Sequence, residues 1–434
     1  MDTIKRVFKN KEVMKKILFT LIAFLIFKLA TRITIPLVNK DVLASLFSGT
    51  DSGFLGIVNA FTGDALMNYS IIALGISPYI TASIIVQLLQ MDIIRPLKEW
   101  SEEGETGKQK LNQLTRYVAI GLAFAQSIAM SFAFTDAIFI VGIDEGNFLI
   151  FTFIALVMTA GTAFAMWLAD QITLHGVGNG SSMLIAAGIL ISFPNSIISL
   201  VEDYIVSGTY AWKGYLIVGA VLLVFIIILV AITFMEQAVR KITIQYSNRP
   251  AAAKFQGRTD SNFPIKLNTA SVIPVIFAST LLSIPNTILQ YIPSVSNTSF
   301  GLWLSELLTY NRPLGFVVYI ILIFVFSIFY TFLQIKPDKT AEDLQKQNAY
   351  IPGVRPGAET EAYLTKTLYK VTIVGALYLI VIATLPILAT AIFGLPSYIQ
   401  IGGTSLLIVV GVAIETTRQI ETDVQDKDYS GFIK

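Results

Sequence analysis

The chain has 434 residues, 54% of them hydrophobic and 14% charged, with a formal net charge of +2. That composition reads as a polytopic membrane protein. With no cysteine and a single histidine, His175, it excludes disulfides, thiol catalysis and any Cys or multi-His metal site, and no cofactor is expected.

The amino terminus, MDTIKRVFKNKEVMKK followed by ILFTLIAFLIF, has the basic-then-apolar form of a signal peptide. Lys28 and Arg32 interrupt it and no small-residue cleavage site follows, so it reads as a retained first helix from Ile17 to Leu37. Lys28 and Arg32 lie four apart and would share a helix face. Snorkelling or an internal partner accounts for them better than contact with a substrate. Next comes GFLGIVNAFTGDA, Gly53 to Ala65, apolar but shorter than the ~20 residues of a full span. Such a segment can enter a membrane only where protein or a cavity covers its ends. The second span, Gly75 to Gln90, is GISPYITASIIVQLLQ. It carries Pro78 together with Ser77, Thr81, Ser83, Gln87 and Gln90, polar groups that usually face another helix or a watery cavity. A half-helix before a polar-flecked span suggests a pore or transport path; a packing or re-entrant helix is the plainer alternative.

A charged loop, Asp92 to Arg116, leads to the third span, Tyr117 to Phe134, and an acidic loop with Asp136, Asp144 and Glu145 follows. The fourth span is Phe148 to Ala169, and a tight turn, His175 to Gly180, opens the fifth, which ends near Leu200. The sixth, Tyr215 to Phe234, is the least ambiguous apolar run. A long basic loop, residues 236–268, precedes the seventh, Thr269 to Ile292, whose Pro274 and Pro285 need neighbours to satisfy the freed backbone groups. The eighth is Leu314 to Leu333; a second long polar loop, residues 335–370, precedes the ninth, Val371 to Phe393, with Pro386. The tenth, Gly402 to Glu415, is short and glycine-rich. Ten spans put both termini on one side. Of the Lys and Arg outside the spans, only Lys40, Lys213 and Arg312 fall on the other side, so the positive-inside rule makes both termini and the long loops cytoplasmic. The loops are long for connectors and suggest a docking partner. The ten spans divide into residues 1–200 and 201–434, five each, which permits an inverted repeat.

Few motifs suggest chemistry. Gly176 to Gly180, GVGNG, lacks the Lys-Ser/Thr ending of a phosphate loop and reads as a turn; His175 beside it has no evident partner. Asp170, Glu236 and Glu415 sit at span ends, not at the midplane where ion-coupled transporters hold carboxylates. No catalytic constellation can be assembled, so the protein is not expected to be an enzyme. Arg249, Lys254 and Arg258 form a loose basic group in one loop. Arg355 stands in IPGVRPG, where two prolines and two glycines stiffen the backbone around one arginine suited to an acidic protein or phosphate partner.

The runs GISPYITASIIVQLLQ, WLADQIT, GVGNG, KLNTASVIPVIFAS, IPGVRPG and IGGTSLLIVVGVAIET occur in the order that characterises the SecY family, the central subunit of the bacterial protein translocation channel, and the chain resembles it over almost its whole length. The resemblance implies two pseudo-symmetric five-helix halves around a central pore. It implies a lateral gate that releases membrane segments sideways, between spans two/three and seven/eight. On matching motifs the aliphatic pore ring falls at Ile76, Ile80, Ile185, Ile276 and Ile408, with Ser181 where relatives commonly carry an aliphatic residue. The plug falls on Gly53, Phe54, Leu55, Gly56, Ile57, Val58, Asn59, Ala60, Phe61, Thr62, Gly63, Asp64 and Ala65. Thr81, Ser83, Gln87, Gln126 and Ser127 fall near the gate, and Arg249, Lys254, Arg258 and Arg355 in partner-binding loops. Implied partners are SecE, SecG, the SecA motor ATPase, the ribosome, signal sequences with unfolded polypeptides, and the lipid of the cytoplasmic membrane. A narrow apolar collar would gate by dewetting while an extended chain presses through. A small-solute transporter is the competing reading, and it predicts a polar midplane site.

Overall fold

The computed structural model describes residues 10–36, 38, 59, 62–90, 94–133, 148–206, 211–246, 261–290, 298–310, 312–396 and 401–430. The body is helical. Helix α1, Lys11–Ala30, starts where the Asn10 side chain accepts the Glu12 N–H at 3.2 Å and buries Val13, Ala23 and Phe27. At ~1.5 Å per residue its 20 residues match the ~30 Å hydrocarbon thickness. It stops earlier than hydropathy alone suggests, because residues 33–35 leave the helix to pair with the segment before the second span. Ile35 N–H donates to Tyr69 O and Ile71 N–H to Ile33 O, at 3.0 and 2.9 Å.

Helix α2, Ser77–Leu89, begins with Pro78 in its first turn, where a missing N–H costs nothing. The charged stretch that follows is largely helical: α3 is Arg95–Glu102, and α4, Glu105–Ala133, runs straight from the polar region into the third span. The expected boundary at Tyr117 marked a change in hydropathy, not the end of the helix. Leu111 and Thr115 already face inward, with Leu111 packed beside Val86 and Leu97. Helix α5 is Phe148–His175, and α6, Gly180–Val201, is capped by Asn179 and continues into a π-helical turn, Glu202–Val206. Helix α7 is Ala211–Gln237; α8 is Ile273–Gln290; α9 is Ser299–Leu308; α10 is Pro313–Gln334; α11 is Pro337–Lys346. The last two, α12 Ala358–Phe393 and α13 Ile401–Ser430, also overrun the hydropathy boundaries. Among the described residues, five helical segments are long and apolar enough to cross a membrane: α5, α6 with its π turn, α7, α10 running on into α11, and α12. α7 has the highest mean hydropathy, 3.3, and little of it is buried, as lipid contact requires.

The long loops contain order that hydropathy does not announce. Strands β1, Val239–Tyr246, and β2, Ser261–Lys266, form an antiparallel hairpin, and β3, Ala349–Tyr350, joins from the other long loop in the order β2-β1-β3. Period-2 alternation buries Ile242 and Ile244 while Lys241 and Thr243 face out. The buried pair and Ile265 pack on Ala341 and Leu344 of α11 and on Leu364 and Leu368 of α12. Pro264 sits in β2, an edge strand, where its missing donor is tolerated.

Two apolar clusters organise the membrane body. One joins α6, α7, α8, α10, α12 and α13 through Ile185, Ile228, Val275, Ile323, Leu379 and Ile408. The other joins α1, α5 and α6 to residues 72–80. Ile80 and Met183 pack against both, so the seam between the clusters runs along α2 and α6.

Candidate functional site: the constriction and its surroundings

The ring candidates come from four helices. Ile76 caps α2 and Ile80 lies one turn on; Ile185 is on α6, Ile276 on α8 and Ile408 on α13. Ile185 and Ile408 are buried members of the first apolar cluster, and Ile80 and Ile276 pack against it. Ile76 is buried in the neighbouring cluster, which Ile80 also touches. The four-residue spacing of Ile76 and Ile80 therefore sets one turn of α2 across the seam. Beside them, Ile276 and Ile408 line a cavity of 30 Å³ with Val272, Val275, Ser279 and Thr404; none of its lining residues is charged. That space exceeds the roughly 10–15 Å³ that a single water needs.

Ser181 has a different neighbourhood. Its N–H donates to the capping Asn179 side chain at 3.1 Å, and its side chain lies near that of Tyr79. Tyr79 lies near the ion pair of Arg116 and Asp170, 2.8 Å, which ties α4 to the WLADQIT stretch of α5.

The polar residues of α2 satisfy one another along the helix. Thr81 Oγ1 donates to Ser77 O at 3.2 Å and Gln87 Nε2 to Ser83 Oγ at 3.2 Å. Such back-bonding allows a hydroxyl in a membrane helix without a cavity. Two atoms of this group stay unsatisfied: Gln87 Oε1 on α2 and Ser127 Oγ on α4 are buried with no hydrogen-bond partner. Gln126 is half-buried next to Ser127. All five gate candidates thus lie on α2 and α4, which pack together.

The GVGNG turn is strapped between helices. Val177 N–H donates to Thr20 Oγ1 of α1 at 3.1 Å, and Gly178 N–H to Gln419 Oε1 of α13 at 3.0 Å. Lys16 and Asp423 add an ion pair of 2.6 Å between the same two helices. His175 ends α5 and lies against Phe19.

Arg355 is exposed and makes no ion pair among the described residues. Its backbone is well held. The Arg355 N–H donates to Glu359 Oε2 at 3.3 Å, and Thr360 Oγ1 donates to Arg355 O at 2.8 Å. Gly353 and Gly357 adopt φ of 84° and 99°, which only glycine takes easily, so the turn closes on both sides of the arginine. Of the plug candidates, Asn59, Thr62, Gly63, Asp64 and Ala65 are described; Gly53 to Val58, Ala60 and Phe61 lie outside the described residues, as do Arg249, Lys254 and Arg258. Sequence reasoning missed the hairpin and the polar contacts of Asp64, although the β-branched residues of VRKITIQY were a legible strand signal.

A model of the SecY family matches residues 70–417. The protein translocase subunit SecY of Staphylococcus carnosus is 44% identical over 434 residues, covering 99% of each chain. That of Bacillus licheniformis is 43% identical over 433 residues, covering 100% of this chain and 99% of the relative. In shape the chain is similar to a solved SecY channel whose plug domain stabilises the closed state and maintains a membrane seal. The TM-score is 0.66 at 17% identity, over 94% of this chain and 92% of that one. A solved protein-conducting channel gives 0.61 at 18% identity with the same coverages.

Proposed function

This chain belongs to the SecY family, and we infer from that membership and from its isoleucine packing how it conducts a polypeptide. It is a multi-pass membrane protein and the non-catalytic channel subunit of a protein translocase. We assign the constriction to Ile76, Ile80, Ile185, Ile276 and Ile408, with Ser181 at its rim. The carrying observation is that Ile80, Ile185, Ile276 and Ile408, from four different helices, meet in one apolar cluster. Branched apolar side chains leave no stable seat for water or ions, yet they yield sideways to an extended chain. A small-solute transporter is not favoured, since the full-length relatives at 43–45% identity are protein translocase subunits.

Around this collar the reading has ten spans in two five-helix halves, residues 1–200 and 201–434, in the cytoplasmic membrane, with both termini cytoplasmic. Residues 53–65 act as the plug. The gate opens beside α2 and α4, where Thr81, Ser83, Gln87, Gln126 and Ser127 lie; polar contacts between membrane helices are worth only ~0.6 to 2 kcal/mol, so a hydrophobic signal sequence can compete with them. SecE and SecG accompany the chain. The SecA ATPase or a ribosome docks on the sheet and turn that present Arg355, and Arg249, Lys254 and Arg258 are further partner-binding residues in this reading.

Because the chain has no cysteine, single cysteines at positions 80, 185, 276 and 408 would be unique. A secretory polypeptide stalled in transit should crosslink to all four and not to a cysteine at Leu223, on the lipid-exposed side of α7. Equal labelling at position 223, or none at the four, would reject the collar.

A further inference from the structure

One residue of the plug segment departs from what its backbone asks for. Asp64 has φ of 66°, following Gly63 at 67°. Glycine takes that left-handed conformation freely; aspartate takes it at a cost. What the aspartate adds is a carboxylate, and both of its oxygens are used. Asn195 Nδ2 of α6 donates to Oδ2 at 2.7 Å, and Asn59 Nδ2 donates to Oδ1 at 3.1 Å. Asn59 is fixed in turn: its Oδ1 accepts the Met67 N–H at 2.9 Å and its carbonyl accepts the Asp64 N–H at 3.0 Å. The Asp64 carbonyl accepts Asn68 Nδ2 at 2.8 Å. Next door, Gly63 lies so close to α6 that a Cβ there would stand 3.2 Å from Gly188 Cα and 3.6 Å from Ile191 Cγ2. Gly188, Ile191 and Asn195 follow one face of α6 at intervals of three and four. The turn at 63–64 is therefore seated along a stripe of α6, apolar at one end and hydrogen-bonded at the other.

We propose that Asp64 is a positioning residue that latches the carboxyl-terminal end of the plug to α6 through Asn195. The proposal rests on the reading of residues 53–65 as a plug. It explains an aspartate at a glycine-like position: the side chain's contacts repay the backbone. Asn195 is exposed, so water can take over its hydrogen bond when the latch parts. A seal made this way is reversible.

The test uses the full translocase complex in planar bilayers, reading resting ion conductance and, separately, the rate of secretory-protein translocation. Asp64→Gly keeps the backbone at ease and removes only the carboxylate. Resting conductance should rise about threefold to tenfold, the factor set by the net worth of one ordinary hydrogen bond whose partner is open to water, with the translocation rate retained. Asn195→Asp, which opposes two carboxylates, should leak similarly. Combining it with Asp64→Asn should restore the seal, because the amide and carboxylate have only exchanged places; loss of folding alone would not be rescued so. Deleting residues 53–58, which spares Asn59 and Asp64, separates the two ideas. A leaking deletion with a tight Asp64→Gly channel overturns the latch alone. A tight deletion overturns the plug reading and the latch with it. Failure of the exchanged pair to restore the seal also overturns the latch.

Discussion

The isoleucine collar and the sheet at the loop end are both small apolar cores, but they are built to behave differently. The proposed collar draws side chains from α2, α6, α8 and α13, and its contacts are dispersion and apolar burial. No hydrogen-bond ladder fixes one helix against the next there, so the contacts are non-directional and the side chains can part and re-form. The sheet core, by contrast, places Ile242, Ile244 and Ile265 under a backbone ladder that registers Val239 to Lys266 and Gln245 to Tyr350. Ladder hydrogen bonds are directional, and a one-residue slip would turn Ile242 and Ile244 outward. In the proposed reading, the same residue type would serve a yielding barrier in one place and a stiff platform in another. What differs is whether the backbone around it is locked.

Breaking the collar should have the largest effect. Ile408→Ser puts a hydroxyl at a position only 2% exposed. Lowering the dewetting barrier by ~1.4 kcal/mol would raise resting ion conductance about tenfold. Ile80→Ser, at a half-buried position, should leak less, and neither change should weaken partner docking, measured by sedimentation with inverted vesicles. Equal conductance in Ile408→Ser and the parent would mean that this side chain is not part of the barrier.

The platform should fail in the complementary way. Arg355→Glu reverses a charge on an exposed, tightly held turn. Motor or ribosome affinity should fall about fivefold at physiological salt, mainly through slower association, with resting conductance unchanged. Folding stability should stay within ~0.5 kcal/mol, because the side chain is on the surface. Unchanged binding would reduce Arg355 to one more positive residue on the inner side.

The smallest effect sharpens the border of the collar. Ser181 lies four residues before Ile185, yet its side chain lies near Tyr79 and it belongs to neither apolar cluster. Ser181→Ile in a background lacking residues 53–65 should lower the leak by about twofold or less, since one hydroxyl at the rim wets the collar only slightly. No change at all would move Ser181 out of the constriction.

Much of this was legible before any coordinates. Hydrophobic runs separated by charge determine that the chain is a multi-pass membrane protein, because apolar length against bilayer thickness is a local property. The ordered motifs determine the family, and the lack of cysteine and of a catalytic constellation excludes whole classes of chemistry. Hydropathy also marks where the chain meets the membrane edge. It does not mark where a helix ends: α4 begins at Glu105 and α12 at Ala358, far into stretches that read as loop, because Leu111, Leu364 and Leu368 find buried neighbours from other elements. The pairing of β1 with β3 joins residues more than a hundred positions apart, and no local pattern announces it. The meeting of Ile80, Ile185, Ile276 and Ile408 is of the same kind, since each is an ordinary isoleucine in its own helix. The contact of Asp64 with Asn195 is too: one aspartate in a short apolar run carries no sign of its partner. Sequence determines what each segment can bury; only the packing of distant segments decides which buried and polar groups face one another.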